Sequence, residues 1–283
     1  MLSGRFLLIS LCALPLFAAG GVRTAERRQA FNDDWRFLKG DAPNAEAPDF
    51  QDASWRSLRL PHDWAIEGPF DSKWNPHTGG LPISGTGWYR KHFTVADSLR
   101  DRYLSVEFDG AMANARVWLN GHELGGRPYG YIGFSVDLTP YLHYGPEENV
   151  LAVRLAPEEN SSRWYPGAGI YRNVWLEVTG PVHVARWGTY VTTPDVSDAS
   201  ATVQVKTELR NREKQEARLV LRTSVLDASG RQVARQNNDA AVSAGGAQSV
   251  ATTLAVPRPQ RWDIEHPYLY TLVSEVMNGS RVV

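Results

Sequence analysis

Short runs that alternate apolar and polar side chains, each closed by a turn signal, constrain this chain most. No stretch carries sustained helical periodicity. Alternation places every second side chain on one face, the pattern of a half-buried strand. Tyr103-Leu-Ser-Val-Glu-Phe108 shows it, and residues 113–119 repeat it up to Asn120-Gly121, the strongest short hairpin dipeptide. Phe134-Ser-Val-Asp137 and residues 149–155 and 173–178 read as further strands. Asp137-Leu-Thr-Pro-Tyr-Leu142 reads as one helical turn with Thr139 as cap and Pro140 at the first helical position. Short strands without intervening helices predict an antiparallel sandwich and exclude a βαβ sheet.

A change comes at Pro181. Aromatics thin out, and residues 201–209, 217–227, 249–256 and 268–277 alternate at the spacing of a small immunoglobulin-like sandwich. The expected division is therefore a sandwich over residues 31–181 and a second over 182–283, the latter stopping one strand short.

The N-terminus carries a different signal. Arg5 precedes the apolar run Phe6-Leu-Leu-Ile-Ser-Leu-Cys-Ala-Leu-Pro-Leu-Phe17, and small residues follow at Ala18, Ala19, Gly20 and Gly21. This is the pattern of a secretory signal peptide over residues 1–21, too short for a membrane span. Residues 22–30 read as a loose linker. The single cysteine, Cys12, lies inside the apolar run behind Leu11, where a lipid-attachment site needs a small residue. The mature chain is then expected to be secreted or periplasmic, free of the membrane, and stabilised by its core without disulfides. Net charge is −1, from 30 basic and 31 acidic residues, which gives no basic stripe for nucleic acid.

The chain holds 10 Trp and 11 Tyr. Flat rings with a polar edge suit either a core or the C–H face of a sugar. Two segments concentrate candidate chemistry. In Leu60-Pro-His-Asp-Trp64, Asp63 can accept hydrogen bonds from sugar hydroxyls with Trp64 as a platform, while His62 serves the site or caps a loop. In Ser161-Ser-Arg-Trp-Tyr-Pro-Gly-Ala-Gly-Ile-Tyr-Arg172, the glycines permit tight turns and close backbone approach. Arg163 fits a hydroxyl-rich ligand or a structural ion pair equally well. Trp164 reads as platform or core, and Arg172 reads as an ion-pair residue. Residues 61–87 form a loop too long for an ordinary hairpin, and long ordered loops tend to carry function.

These two segments, together with Asn32-Asp-Asp-Trp-Arg-Phe37, Gly85-Thr-Gly-Trp-Tyr-Arg90 and Val117-Trp-Leu-Asn-Gly121, occur in an order that resembles glycoside hydrolase family 2, most closely its β-galactosidases. The resemblance runs from Ala30 to the end, with Pro267-Tyr-Leu-Tyr270 marking the second domain. It implies an all-β front half: a jelly-roll, galactose-binding-like sandwich followed by an immunoglobulin-like one. It further implies a retaining mechanism with two glutamates about 5 Å apart. In the family these sit on a (β/α)8 barrel of about 250 residues after the immunoglobulin-like domain. Glu147-Glu148 and Glu158-Glu159 read as solvated surface, so no catalytic residue is expected in this chain.

By position, Asp63 and Arg163 resemble residues that contact the non-reducing sugar, and the Pro-His-Asp-Trp segment inclines the reading toward β-galactosides over β-mannosides and β-glucuronides. Some members carry an acidic residue at the position of Arg163 that helps hold a cation. Arginine argues against that site, so neither metal nor cofactor is expected. The expected partners are a carbohydrate and a catalytic barrel in cis or in trans. The alternative to a hydrolase front part is a stand-alone secreted carbohydrate-binding protein.

Overall fold

The computed structural model describes residues 21–22 and 27–283. The bulk of the expected signal peptide, residues 1–20, lies outside the described residues.

Among the described residues the first domain contains eleven strands, β1 (Gly21–Val22), β2 (Arg28–Ala30), β3 (Trp35–Lys39), β4 (Arg56–Leu58), β5 (Gly87–Val95), β6 (Tyr103–Phe108), β7 (Ala115–Leu119), β8 (His122–Arg127), β9 (Phe134–Asp137), β10 (Glu148–Leu155) and β11 (Val174–Thr179). One sheet runs β4-β3-β5-β10-β7-β8, with β1 pairing the end of β5, and the other runs β2-β11-β6-β9. Their facing side chains form the jelly-roll core, where Trp35, Leu104, Phe108, Leu119 and Leu151 are almost fully buried. The Asn120-Gly121 turn joins β7 to β8 with both residues at positive φ, 51° and 83°. That geometry matches the strand twist of a two-residue hairpin.

Two expectations fail here. The segment expected as a loose linker, residues 22–30, is strand at both ends: Val22, with Gly21 before it, pairs in parallel with Thr94–Val95, and Arg28–Ala30 pairs with Trp175–Glu177. Its polar residues misled because β2 is an edge strand with mostly exposed side chains. Thr139 does not cap the short helical turn Thr139–Tyr141. Leu138 stands at the cap position, and Thr139 Oγ1 instead accepts the Leu104 N–H at 3.0 Å.

The outer face of the larger sheet is covered by the loop of residues 40–55. Arg90 on β5 is fully buried beneath it. Its Nε donates to Asp52 at 2.7 Å, and its Nη1 donates to the Ala45 and Ala47 carbonyls. Arg36 and His92 also reach Asp52. Burial alone would raise the Asp52 carboxyl, but hydrogen bonds from His92 and Arg90 outweigh it and hold it below its usual range.

The second domain has seven strands in two sheets: β12 (Val182–Val196), β13 (Ser200–Asn211), β14 (Ala217–Leu226), β15 (Gln232–Val242), β16 (Ala247–Pro257), β17 (Thr271–Asn278) and β18 (Arg281–Val282). The orders are β12-β13-β16 and β15-β14-β17-β18, an immunoglobulin-like sandwich with Leu209, Leu221 and Val242 at its centre. The long β12 gives little alternation signal because a bulge interrupts its pairing between Val184 and Thr189, where Trp187 takes a φ of 52°.

Polar groups tie the domains together. Arg186 donates to the buried Glu107 at 2.6 Å, Arg27 donates to the Val184 carbonyl at 2.9 Å, and the His183 ring stacks on Tyr103 at 4.9 Å.

Candidate functional site

The site grows from three loop segments zipped together by backbone hydrogen bonds. His62 N–H donates to the Ile170 carbonyl and Trp64 N–H to the Ala168 carbonyl, at 2.8 and 2.9 Å. Met112 and Gly169 exchange a pair of such bonds at 2.9 and 3.0 Å. Glycine is required at 169: its φ is 134°, and a Cβ would stand 2.4 Å from the His62 carbonyl oxygen. Residues a hundred positions apart thus share one rigid rim.

Asp63 is the centre of this rim. Its Oδ1 accepts the Ala65 and Ala168 N–H groups at 2.9 and 3.0 Å, and its Oδ2 accepts the Tyr165 hydroxyl at 2.6 Å. Burial, then the hydrogen bond to Asp63, push the Tyr165 phenol far above its usual range, so it donates as a neutral hydroxyl. Gly167 lets the chain pass close to this carboxylate, since a Cβ there would lie 3.1 Å from Oδ2. Asp63 is half-buried and keeps acceptor capacity on Oδ2 after Tyr165 is satisfied. Tyr165 gave no sequence signal of its own. Its role follows only from meeting Asp63 across 102 positions.

Arg163 is exposed beside this carboxylate-bearing loop and makes no hydrogen bond or ion pair among the described residues. Trp164 is 59% exposed, and its Nε1 donates to the Tyr131 hydroxyl at 2.8 Å. It is therefore not a core residue. Arg172, expected in an ion pair, has none among the described residues. It is exposed, and its stem packs where Gly110 leaves room, so that a Cβ at 110 would lie 2.8 Å from the Arg172 Cδ.

The other two candidates are corrected. Trp64 is 2% exposed, with its ring stacked on Phe37 at 5.8 Å and packed over Gly87, where a Cβ would stand 2.4 Å away. It is core, with no face for a ligand. His62 is also buried, and protein groups occupy both ring nitrogens: Tyr89 at Nδ1, Arg56 and Glu67 at Nε2. It braces the rim from below. The period of two cannot distinguish an inward from an outward ring in a loop, so the adjacent Asp63 and Trp64 could not be separated by pattern.

Burial lowers the pKa of His62 and of the interdomain His183, with Glu67 and backbone carbonyls only partly opposing it. The folded groups therefore bind protons less readily than their unfolded counterparts, and the stability they contribute, present above about pH 6.5, is lost as pH falls below that value. The urea midpoint should drop between pH 7.5 and 5.5, and the combined His62→Gln and His183→Gln replacement should flatten that drop. An unchanged slope would remove these two residues as its source.

Comparison with known proteins agrees with this architecture. Residues 29–181 match the family model "Glycosyl hydrolases family 2, sugar binding domain", and residues 182–283 match "Glycosyl hydrolases family 2". The chain is 49% identical over 255 residues to β-galactosidase BoGH2A of Bacteroides ovatus, covering 89% of this chain and 30% of that protein. It is 32% identical over 276 residues to a β-glucuronidase of Formosa agariphila, covering 89% of this chain and 28% of that protein. Among solved structures, a family 2 member from Bacteroides cellulosilyticus superposes with a TM-score of 0.84 at 36% identity, over 91% of this chain and 34% of that one. The chain thus spans about 30% of the length of the curated relatives it matches. With both of its domains matched, from residue 29 to residue 283, the chain belongs to glycosyl hydrolase family 2.

Proposed function

We propose that this chain is the exported, non-catalytic front part of a retaining β-galactoside hydrolase. In this reading Asp63 and Arg163 hold the sugar, Trp164 stands beside them as an aromatic platform, and the catalytic carboxylate pair comes from a further domain in cis or in trans. The observation that carries it is the Asp63 carboxylate, locked in place by two backbone N–H groups and Tyr165 yet still able to accept a hydroxyl, in a domain whose family model is described as sugar binding. The identity to a β-galactosidase supports the choice of sugar, and the charged, apolar and small-residue order of residues 1–21 supports export.

Arg163 supports a second reading. A guanidinium without a partner among the described residues suits a uronate carboxylate, and a β-glucuronidase is among the relatives.

One experiment separates these possibilities. The chain is placed in the Bacteroides ovatus β-galactosidase in exchange for the segment it matches, and the hybrid is assayed on chromogenic β-galactoside and β-glucuronide. The expected result is turnover of the galactoside by the hybrid and none by the 283-residue chain alone. Turnover by the purified chain alone would refute the non-catalytic role. Preference of the hybrid for the glucuronide would transfer the assignment to the second reading.

A further inference from the structure

We propose that Trp164 and Tyr131 form a shelf for a second sugar ring, so that the site takes a β-linked oligosaccharide and not a single galactoside unit. This rests on the sugar-site reading above and extends it to substrate length. Tyr131 and its neighbour Tyr129 lie in the turn between β8 and β9, on a segment that the sequence did not single out. Both rings are exposed, 37% and 58%, and their centroids are 5.4 Å apart.

Exposed aromatic rings on a flexible turn would mean little. This turn is anchored. Tyr171 donates its hydroxyl to the Gly130 carbonyl at 2.9 Å, and Gly130 sits against Met112, where a Cβ would stand 2.6 Å from the sulfur. Met112 is itself tied to Gly169 on the rim that carries Asp63.

The indole is anchored as well. Its Nε1 is held by Tyr131, and the Trp164 carbonyl accepts the Ser162 hydroxyl at 2.6 Å. The polar edge of Trp164 is therefore satisfied within the protein while much of its surface stays open to solvent. A flat ring fixed in this way presents an apolar face to the C–H face of a pyranose without losing ring mobility on binding. Tyr131 keeps its own hydroxyl proton, which can donate to a sugar oxygen after its lone pair has accepted the indole N–H. The shelf adjoins the first sugar position because Trp164 lies between Arg163 and Tyr165, and Tyr165 is bonded to Asp63.

The test uses the full chain and the indole N–H resonance of Trp164, titrated with methyl β-galactoside and with β-1,4-linked galactotriose. The trisaccharide should shift this resonance and bind at least about fivefold more tightly than the monosaccharide. Tyr131→Phe, which keeps the ring but frees the indole, should cut that advantage about threefold, and Trp164→Ala should abolish it. Equal affinities for the two ligands overturn the shelf. An indole resonance that galactotriose leaves in place, but that moves when a catalytic domain is attached, overturns it in favour of a contact between domains. Failure of the first sugar position shows separately, as an unchanged kcat/KM on replacement of Asp63 in the hybrid enzyme.

Discussion

In the hybrid carrying a catalytic domain, Asp63→Ala is expected to lower kcat/KM for a β-galactoside by about 10- to 100-fold. The figure follows from the roughly 1.5–3 kcal/mol that a hydrogen bond to a charged group contributes, at about 1.4 kcal/mol per tenfold. In the proposed reading the carboxylate offers its free Oδ2 capacity to a sugar hydroxyl, and alanine would leave that hydroxyl without an acceptor. The backbone pairing of the rim should survive the change, because the bonds from His62 to Ile170 and from Trp64 to Ala168 do not involve the carboxylate, although the Ala65 and Ala168 N–H groups lose theirs to Oδ1. Two controls separate contact from scaffold. Tyr165→Phe removes only the phenol bond to Oδ2 and should cost a few-fold at most. Asp63→Ala also leaves the buried Ala65 and Ala168 N–H groups without an acceptor and should unfold earlier than the parent, whereas Asp63→Asn, which keeps an oxygen for them, should unfold close to it. A loss of less than about threefold with an intact fold would exclude Asp63 from substrate contact.

The largest effect on stability is expected on the other face of the strand that carries Tyr89, where Arg90 lies beneath the loop of residues 40–55. Arg90→Met should lower the free energy of unfolding by about 3–5 kcal/mol, the cost of breaking a buried, hydrogen-bonded charge pair from one side. Methionine restores much of the volume but none of the donors. It leaves the buried Asp52 carboxylate with His92 and Arg36 alone, and the Ala45 and Ala47 carbonyls lose their guanidinium. With a urea slope of about 1–3 kcal/mol per molar, the midpoint should fall by more than about 1 M. Adding Asp52→Asn to Arg90→Met should recover part of the loss, since the orphaned charge is then gone. If the double variant is less stable by the sum of both single losses, the two groups are not coupled and the account of the loop of residues 40–55 fails.

Much of the architecture was legible because it is written locally. Alternation at Tyr103–Phe108 marks β6, and Asn120-Gly121 marks a hairpin whose two positive φ values those residues tolerate at low cost. Two of the strands that the sequence does not mark have a local pattern broken by a tertiary demand. The bulge near Trp187 interrupts β12. The strand β5 buries residues on both faces, Trp88 and Arg90 on one and Tyr89 and Phe93 on the other, so its sequence does not alternate. An arginine there reads as surface until the loop carrying Asp52 is folded over it.

The sequence by itself determined the all-β class, the two sandwiches and two of the loops from which a site could be assembled, because strand periodicity and turn chemistry act over a few residues. Only the tertiary structure decided which members of those loops are available to a ligand. Adjacent residues met opposite fates: Trp64 fills the space left by Gly87 while Asp63 faces the rim, and Trp164 stays exposed because Tyr131 holds its edge. Burial depends on what packs against a side chain from elsewhere in the chain. For Asp63 that partner is Tyr165, and the chain brings it near only when both sheets are closed.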